Sequence, residues 1–360
     1  GDALSSVLTI RNRPGTQDGI AGDVTLGASE AGITLDGPLG QEGNWLFSVR
    51  RSYLQFLFEA LDLPIRPDYW DAQISVNWEP TVRDRFTFTG IGAVDEFGII
   101  EPGPEADYEN QEIFQSVLDN DQKSYTVGGT YRRLLRAGGI LRVKASRSFI
   151  DYRFSDEDAS GVTVLSNNSL EQESRLEAEA ETGLGDRLRA GIGGELVRAS
   201  INSEVYQRAI PGGVLPEDVL YNSDAGFWKP ALWGQMTWRL GPLTATNGFR
   251  LDGVSALDEM WALSPRASLR YATDSNIDLT LAGGVFHQAP SKLALSVEKE
   301  GVRINEGLKQ LRNWQVVGGA DWRVNPGFRI GAEGFFKAYD QMPVLAADPD
   351  INLANLGDDY

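Results

Sequence analysis

Two-residue alternation of apolar and polar side chains runs through most of the sequence, and this feature most constrains the fold. In residues 72–78 an apolar set alternates with a polar set: Ala72, Ile74, Val76 and Trp78 against Gln73, Ser75 and Asn77. A β-strand with one apolar and one polar face produces this period, whereas a helix repeats every 3.6 residues. Residues 314–324 and 328–338 repeat the pattern. The sequence therefore predicts half-buried strands.

The alternation recurs often enough to predict about fifteen strands. They lie near residues 20–28, 31–36, 44–51, 72–78, 86–92, 125–132, 140–148, 175–182, 188–198, 231–240, 243–252, 267–271, 277–286, 314–324 and 328–338. Residues 169–182 are rich in strong helix formers, but Leu176, Ala178 and Ala180 alternate with charged residues, which favours a strand. Residues 53–63 are apolar without clear alternation.

The predicted connections alternate between short and long. The short ones are residues 37–43, 79–85, 134–139, 183–187, 241–242, 272–276 and 325–327. The long ones are residues 53–70, 93–124, 149–173, 199–230 and 287–313. Short turns at one end and long loops at the other are typical of an outer-membrane barrel, with periplasmic turns below and extracellular loops above. A sandwich or a propeller has no reason to segregate loop length in this way.

Aromatic residues on the apolar face lie close to the short turns. They are Trp45, Trp78, Phe86, Tyr131, Trp238, Tyr271, Trp322 and Phe328. Aromatic girdles of this kind mark the membrane interface of a barrel. Trp314 lies on the same face as Trp322, eight positions away. Eight residues rise about 20 Å along a tilted strand, close to the ~25 Å apolar band of such barrels. The spacing predicts a bilayer-facing surface.

Composition excludes several functions. No apolar run approaches the ~18 residues that a membrane-spanning helix needs, and the first residues show no signal peptide, so it was removed or the chain begins internally. The chain has no cysteine and one histidine, which excludes disulfide frameworks, cysteine-based zinc sites and histidine-rich metal sites. Thirty-three basic residues against 51 acidic ones give a net charge of −18, which argues against nucleic acid as a partner.

No catalytic constellation is visible either. His287 is the sole imidazole, and no glycine-rich phosphate loop follows a strand and opens a helix. We therefore predict no enzymatic activity and no cofactor. His287 falls at the upper end of a predicted strand, where a role in an interface or loop is favoured over ligand binding.

Residues 94–122 form an acidic segment that contains no Lys or Arg. Its carboxylates are Asp95, Glu96, Glu101, Glu105, Asp107, Glu109, Glu112, Asp119 and Asp121. Carboxylates in this number could capture a cationic ligand or a divalent ion. Because the run lacks the spacing of a calcium loop, a solvated surface loop is the favoured interpretation.

Several stretches resemble the TonB-dependent receptors, at the place where the plug domain of that family leads into the barrel. They are LSSVLTIRNRPGT (4–16), IAGDVTLGASEAGITLDGPLG (20–40), NWLFSVRRSYLQFL (44–57), SPRASLRYATDSNIDLTLAGGVFHQAPS (264–291) and LKQLRNWQVVGGADWRVNPGFRIGAEGFFKAYDQMPV (308–344). The first is similar to the last strand of a plug. The second is similar to the first barrel hairpin, and the third contains an arginine-arginine-serine-tyrosine strand end that recurs in these receptors.

The resemblance implies an all-β, transmembrane, antiparallel up-and-down β-barrel, here partial, with about 15 of about 22 strands. Residues 1–16 would end the plug and residues 17–360 would form the partial barrel in the bacterial outer membrane. The implied function is TonB-dependent uptake of a large scarce nutrient, such as an iron chelate, a vitamin or an oligosaccharide. Implied partners are outer-membrane lipid, the nutrient, and the TonB system acting through N-terminal parts outside this chain.

Five charged residues are the predicted ligand contacts, because parity and position place them on the inner face near the barrel mouth. They are Arg50, Asp95, Arg250, Asp252 and Lys337. The same residues could instead hold the plug or pair across strands. Two other functions stay open at this point. One is a passive porin-like or adhesin-like barrel, and the other is a soluble carbohydrate-binding β-protein.

Overall fold

A computed structural model describes residues 8–100, 119–158, 161–209, 218–299 and 302–344. Their main feature is one antiparallel sheet of fifteen strands in sequence order. The strands are β1 (Ala21–Leu26), β2 (Glu30–Pro38), β3 (Gly43–Ser52), β4 (Ile65–Thr81), β5 (Asp84–Ile99), β6 (Asp119–Leu134), β7 (Ile140–Glu157), β8 (Thr163–Gly183), β9 (Leu188–Gln207), β10 (Val219–Leu240), β11 (Leu243–Gly253), β12 (Trp261–Ala272), β13 (Ile277–Gln288), β16 (Leu311–Asn325) and β17 (Phe328–Asp340).

Four smaller elements complete the described part. They are the helices α1 (Leu54–Ala60) and α2 (Lys292–Ser296), a 3₁₀ turn at Arg136–Gly138, and a two-stranded hairpin of β14 (Glu298–Lys299) and β15 (Val302–Arg303). No helix in the described ranges has the length and hydropathy to cross a membrane. In the described residues the first and last strands of the main sheet do not pair with each other, so the sheet is an open part of a barrel.

The predicted strand count is confirmed, and so is the strand at residues 169–182, which lies within β8. The short connections are also confirmed. For example, Thr81 and Asp84 flank the turn between β4 and β5, and Leu240 pairs with Leu243 across the turn between β10 and β11. We call this end of the sheet the lower end, and the opposite end the upper end.

The predicted bounds of most upper connections are wrong, because the strands continue where the sequence pattern changes, but the connections after β3 and β13 are still longer than the lower turns. β5 and β6 run into the predicted loop 93–124, β7 and β8 into 149–173, and β9 and β10 into 199–230. Residues 53–70 contain α1 and the start of β4. Of the five predicted long loops, residues 287–313 stay mostly outside the main sheet.

The N-terminal segment differs from its predicted strand. Residues 8–20 form no strand, although the sequence 4–16 resembles one. Their polar groups bind side chains of the first hairpin instead: Gly15 N donates to Asn44 Oδ1 at 3.0 Å, and Arg13 Nη2 lies 2.8 Å from Asp36 Oδ1. Pro14 has no N–H to give to a neighbouring strand. The segment therefore lies along the sheet without joining it.

Register assigns each side chain to one of two faces, because directly opposed residues share a face. The face that α2 and the N-terminal segment contact is called the inner face. All eight girdle aromatics lie on the other, outer face, where Trp78, Phe86 and Tyr131 stack with ring centroids 5.4 and 4.8 Å apart. The predicted parity of residues 72–78 is confirmed, since Ser75 and Asn77 are buried while Ile74 and Trp78 are exposed.

The two faces exchange polarity at the upper ends of β9 and β10. Below this level the outer face carries exposed Ile192, Leu196 and Leu232. Above it, the outer face carries Ser200, Asn202, Glu204 and Asn222, and the inner face carries the buried residues Val197, Ala199, Ile201, Val205, Ala225 and Phe227. The inner apolar surface is covered by residues 289–310, so it forms a core rather than a lumen wall.

Candidate functional site

A charged cluster occupies the inner face of β8, β9 and β11, just below the level where the faces of β9 and β10 exchange polarity. Arg250 donates from Nε to Asp252 Oδ1 at 2.6 Å and from Nη2 to Glu195 Oε1 at 3.1 Å. Arg175 reaches the other carboxylate oxygen of Glu195 at 2.6 Å. The Asp252 Oδ2 atom is buried without a hydrogen-bond partner among the described atoms. Two of the predicted ligand contacts, Arg250 and Asp252, are therefore brought together.

An aromatic ring supports this cluster. The guanidinium of Arg250 lies 4.9 Å from the ring centroid of Trp233, which is within cation–π range. Trp233 faces Gly193 across the strand pair, and a Cβ at Gly193 would meet the indole ring at 2.4 Å. Only glycine at position 193 lets this ring lie flat against the wall, so Gly193, Trp233 and Arg250 form one stacked unit.

A concave pocket of about 430 Å³ adjoins the stacked unit. Arg266 lies in its wall, 4.4 Å from the ring centroid of Phe286. In the described part of the chain, Arg266 makes no ion pair, and its buried Nε has no hydrogen-bond partner. A half-buried guanidinium without a carboxylate favours an anionic or acceptor-rich group at this position.

The described parts of the segment after β13, residues 289–299 and 302–310, lie beside the charged cluster, where Gln310 Nε2 donates to the Asp252 carbonyl oxygen at 3.3 Å. In α2, Leu293 belongs to one buried cluster with Ile201 and Ala225, and Leu295 belongs to another with Ala199 and Phe227. The segment leaves the sheet after β13 and reaches β8, where Lys292 Nζ lies 2.8 Å from Glu171 Oε2 and 3.2 Å from Glu173 Oε1. The segment thus crosses the inner side of the sheet from β13 to β8 and narrows the opening of the partial barrel at the upper end.

The electrostatics of Lys292 favour this docked position. Burial alone would lower the pKa of Lys292, but the hydrogen bond to Glu171 and the charges of Glu173 and Glu171 outweigh burial and raise the pKa above its ordinary value. Lys292 therefore stays charged at neutral pH, and the ion pairs persist.

The other predicted ligand contacts lie apart from this pocket. Arg50 is on the inner face of β3, where Nε lies 2.7 Å from Asp71 Oδ2 and Nη1 lies 3.1 Å from Glu30 Oε2. Asp95 on β5 is opposite Tyr69 on β4, and Tyr69 is two residues from Asp71 on the same strand. Lys337 lies on the inner face of the edge strand β17, 5.5 Å above the ring of Phe335. Cross-strand pairing, left open by the sequence, is thus found for Arg50.

The segment 94–122 and His287 carry no metal site in the described residues, where no group of three His, Asp or Glu side chains could hold an ion. Asp95, Glu96 and Asp121 belong to β5 and β6 rather than to a loop. Residues 101–118 lie outside the described ranges. His287 is buried at the upper end of β13, with Nδ1 3.0 Å from Ser264 Oγ.

Sequence reasoning missed Trp233, Arg266, Phe286 and the covering segment. A usable signal existed for Trp233. On β10 the apolar parity runs through Leu232, Met236 and Trp238, so Trp233 is an aromatic residue on the polar face. Nothing in the local pattern indicates that residues 289–310 fold back onto β9 and β10, because that contact is long-range.

Fold and site together define a membrane-type β-barrel wall with a polar, arginine-containing inner mouth. The family described as TonB dependent receptor-like, beta-barrel, matches residues 67–358. Because the match covers most of the chain, the protein belongs to this family of receptors, which are not enzymes. No curated protein matches the sequence.

Solved structures share the fold at low sequence identity. The ferric enterobactin receptor PfeA from Pseudomonas aeruginosa is 14% identical, with a TM-score of 0.63, over 86% of this chain and 50% of that chain. The siderophore receptor PirA from Acinetobacter baumannii is 12% identical, with a TM-score of 0.65, over 91% and 53%. The copper transporter OprC is 12% identical, with a TM-score of 0.64, over 91% and 55%. The chain spans about half the length of these proteins.

Proposed function

We propose that the protein is an outer-membrane receptor for TonB-dependent uptake of a large, scarce nutrient. Family membership and the apolar outer face with its aromatic rows support a place in the membrane. Residues 1–16 would be the end of a plug, residues 17–360 part of the barrel wall, and TonB would act through N-terminal parts outside this chain. The eight girdle aromatics would lie at the lower membrane interface.

One observation points to the kind of nutrient. Arg266 faces the inner pocket without a carboxylate partner in the described residues, beside Trp233 and Phe286. Arginine with aromatic rings suits a ligand that is anionic and has flat, conjugated groups. An anionic metal chelate fits better than a neutral oligosaccharide. Two of the solved neighbours carry names of this class, a ferric enterobactin receptor and a siderophore receptor.

The test is uptake of radioactive iron as an anionic ferric catecholate by cells that depend on the full-length protein. We expect uptake in cells with TonB and none without it. Arg266→Gln should weaken binding of the chelate by about tenfold, as one lost charge-assisted contact implies. Arg270→Gln is the matched control, because Arg270 lies lower on the same strand and is paired with Asp278 at 2.7 Å.

Three results would redirect the proposal. Uptake that continues without TonB would indicate a passive porin-like barrel. Unchanged chelate binding in Arg266→Gln would mean that Arg266 contacts the plug or another part of the protein instead. A full-length protein that is monodisperse in buffer without detergent would indicate a soluble β-protein.

A further inference from the structure

A polar row crosses four strands on the outer face. Arg147 on β7 is opposite Ser174 on β8, Ser174 is opposite Arg198 on β9, and Arg198 is opposite Trp228 on β10. Opposed residues in an antiparallel sheet have Cβ atoms about 5 Å apart, so the four side chains form a continuous band about 15 Å long. We call these residues the outer row.

The outer row coincides with the level where the faces exchange polarity. Directly below it the outer positions are Ala145, Leu176, Leu196 and Pro230, and Leu232 follows Pro230 on β10. Directly above it they are Phe149, Gln172, Ser200 and Gly226, and Asn202 and Asp224 follow on β9 and β10. The row therefore marks the upper limit of the apolar surface on β9 and β10, whereas Phe149 extends the apolar surface above the row on β7.

Membrane dimensions agree with this position. Trp228 and Trp238 lie on the outer face of the same strand, ten residues apart. At roughly 3.3 Å per residue and a tilt near 40°, ten residues rise about 25 Å, which is the height of the apolar band of a barrel. If Trp238 lies at the lower interface, Trp228 and Arg198 lie at the upper one.

The two arginines of the outer row are held in place but not neutralised. Arg147 donates to Ser174 Oγ at 3.1 Å and to Gln172, while the Arg198 guanidinium lies over Gly226 and 5.3 Å from the Trp228 ring centroid. Within the described ranges neither arginine has a carboxylate at ion-pairing distance. Their charges are therefore open to an external anion.

Other outer-face arginines near tryptophan rings differ in this respect. Arg51 lies 4.7 Å from the Trp70 ring centroid but is paired with Asp68 at 3.2 Å. Arg312 lies 5.8 Å from the Trp314 ring centroid and is paired with Asp340 at 2.7 Å. In contrast to Arg51 and Arg312, Arg147 and Arg198 carry outward positive charge that no carboxylate of the described residues pairs.

We propose that the outer row binds the phosphate group of an acidic lipid in the outer leaflet of the membrane. Two guanidinium groups and the Ser174 hydroxyl would donate to the phosphate oxygens. The acyl chains would lie over Leu176, Leu196 and Leu232, and Trp228 would pack beside the headgroup. This inference rests on the proposed membrane location, but it concerns lipid on the outer face and not the nutrient on the inner face.

The test uses the full-length protein in detergent and a phosphorylated lipid A, with retention of the lipid followed by native mass spectrometry. Arg147→Gln combined with Arg198→Gln should weaken binding by about thirtyfold, as loss of two interfacial cations implies. Arg51→Gln combined with Arg312→Gln is the matched control and should bind as tightly as the unaltered protein. Dephosphorylated lipid A should bind weakly to all three.

Several outcomes would overturn the proposal. They are equal lipid binding by both double variants, an equal loss in the control, or no preference for the phosphorylated lipid. Displacement of the lipid by excess inorganic phosphate would assign the row to a free anion. Chelate uptake in the same variants separates the two claims, because it should be unchanged by the loss of lipid binding. Absence of the unaltered protein from the outer membrane would instead remove the proposed function itself.

Discussion

The lower and upper halves of β9 and β10 belong to the same two strands but present opposite surfaces. In the lower half the outer face is apolar, with Leu196 and Leu232 exposed, and the inner face carries Glu195 and Trp233. In the upper half the outer face carries Asn202 and Asn222, and the inner face is buried under α2. Strand parity stays constant, so the surroundings must change along the strand.

This difference shows what each half is built to contact. A lower half with an apolar outside and a polar inside suits lipid outside and water or protein inside. An upper half with a polar outside and an apolar inside suits water outside and a packed core inside. At the proposed location, the same two strands would leave the membrane and continue as the frame of a folded extracellular cap, with the boundary at Arg198 and Trp228.

The largest expected effect comes from the core of the upper half. Phe227 is 2% exposed and packs against Leu295 of the covering segment. Phe227→Ala should weaken docking of residues 289–310 by about 3–5 kcal/mol, because a large buried ring is replaced by a cavity. Hydrogen exchange of residues 289–299 measures this. Leu232→Ala is the control, because lipid can fill the space left by the side chain. Equal loss of protection in both variants would contradict the difference between the two halves.

The second-largest effect is expected when a charged residue is placed on the outer face, because the loss of stability should differ between the lower and upper halves. Leu232→Arg should destabilise the inserted barrel by about 2–4 kcal/mol, because Leu232 lies midway between the two tryptophan levels of β10. Asn222→Arg, on the same face in the upper half, should change stability by less than about 0.5 kcal/mol. Unfolding in urea from lipid vesicles gives both values. Similar losses for the two variants would argue against a boundary between them.

The smallest effect concerns the ion pairs that hold the cap. Lys292→Met should weaken docking by about 1.5–3 kcal/mol, because it removes charge-assisted hydrogen bonds to Glu171 and Glu173. The pKa of Lys292 is raised in the folded protein, so this contribution is complete below the ordinary value of 10.5 and is lost as pH rises through the raised pKa. Protection factors, in which the base-catalysed intrinsic exchange rate is divided out, should fall above that pH in the unaltered protein but not in Lys292→Met. An onset between pH 6 and 8 would contradict the assignment.

The sequence predicted the strands of the lower half because their outer face is strictly apolar and their inner face is mostly polar. Alternation at Ile74, Val76 and Trp78 is readable without knowing any partner. The upper extensions of β9 and β10 were predicted as loops because the polarity of the two parities exchanges near Arg198 and Trp228, which interrupts the pattern without interrupting the strand.

The site was predictable only in part, for a similar reason. Arg250 and Asp252 were predicted as site residues from their strand parity and their position near the upper end of the strand. In the structure the two side chains are hydrogen-bonded to each other on β11. Arg266 matters because no carboxylate of the described residues pairs with it. The sequence around Arg266 does not show that a partner is missing. The covering segment docks across strands far apart in sequence, with Lys292 and Glu171 separated by 121 positions. Such contacts come from tertiary packing, and no periodicity reports them.

The most direct test of the account is the environment of the outer face along β10. The chain has no cysteine, so spin labels can be attached to single cysteines introduced at Met236, Leu232, Asp224 and Asn222. We predict that labels at 236 and 232 are relaxed by oxygen dissolved in lipid, and that labels at 224 and 222 are relaxed by a water-soluble agent. The change should fall at Trp228. Lipid-like accessibility at all four positions, or water-like accessibility at 236 and 232, would contradict a membrane boundary at the outer row.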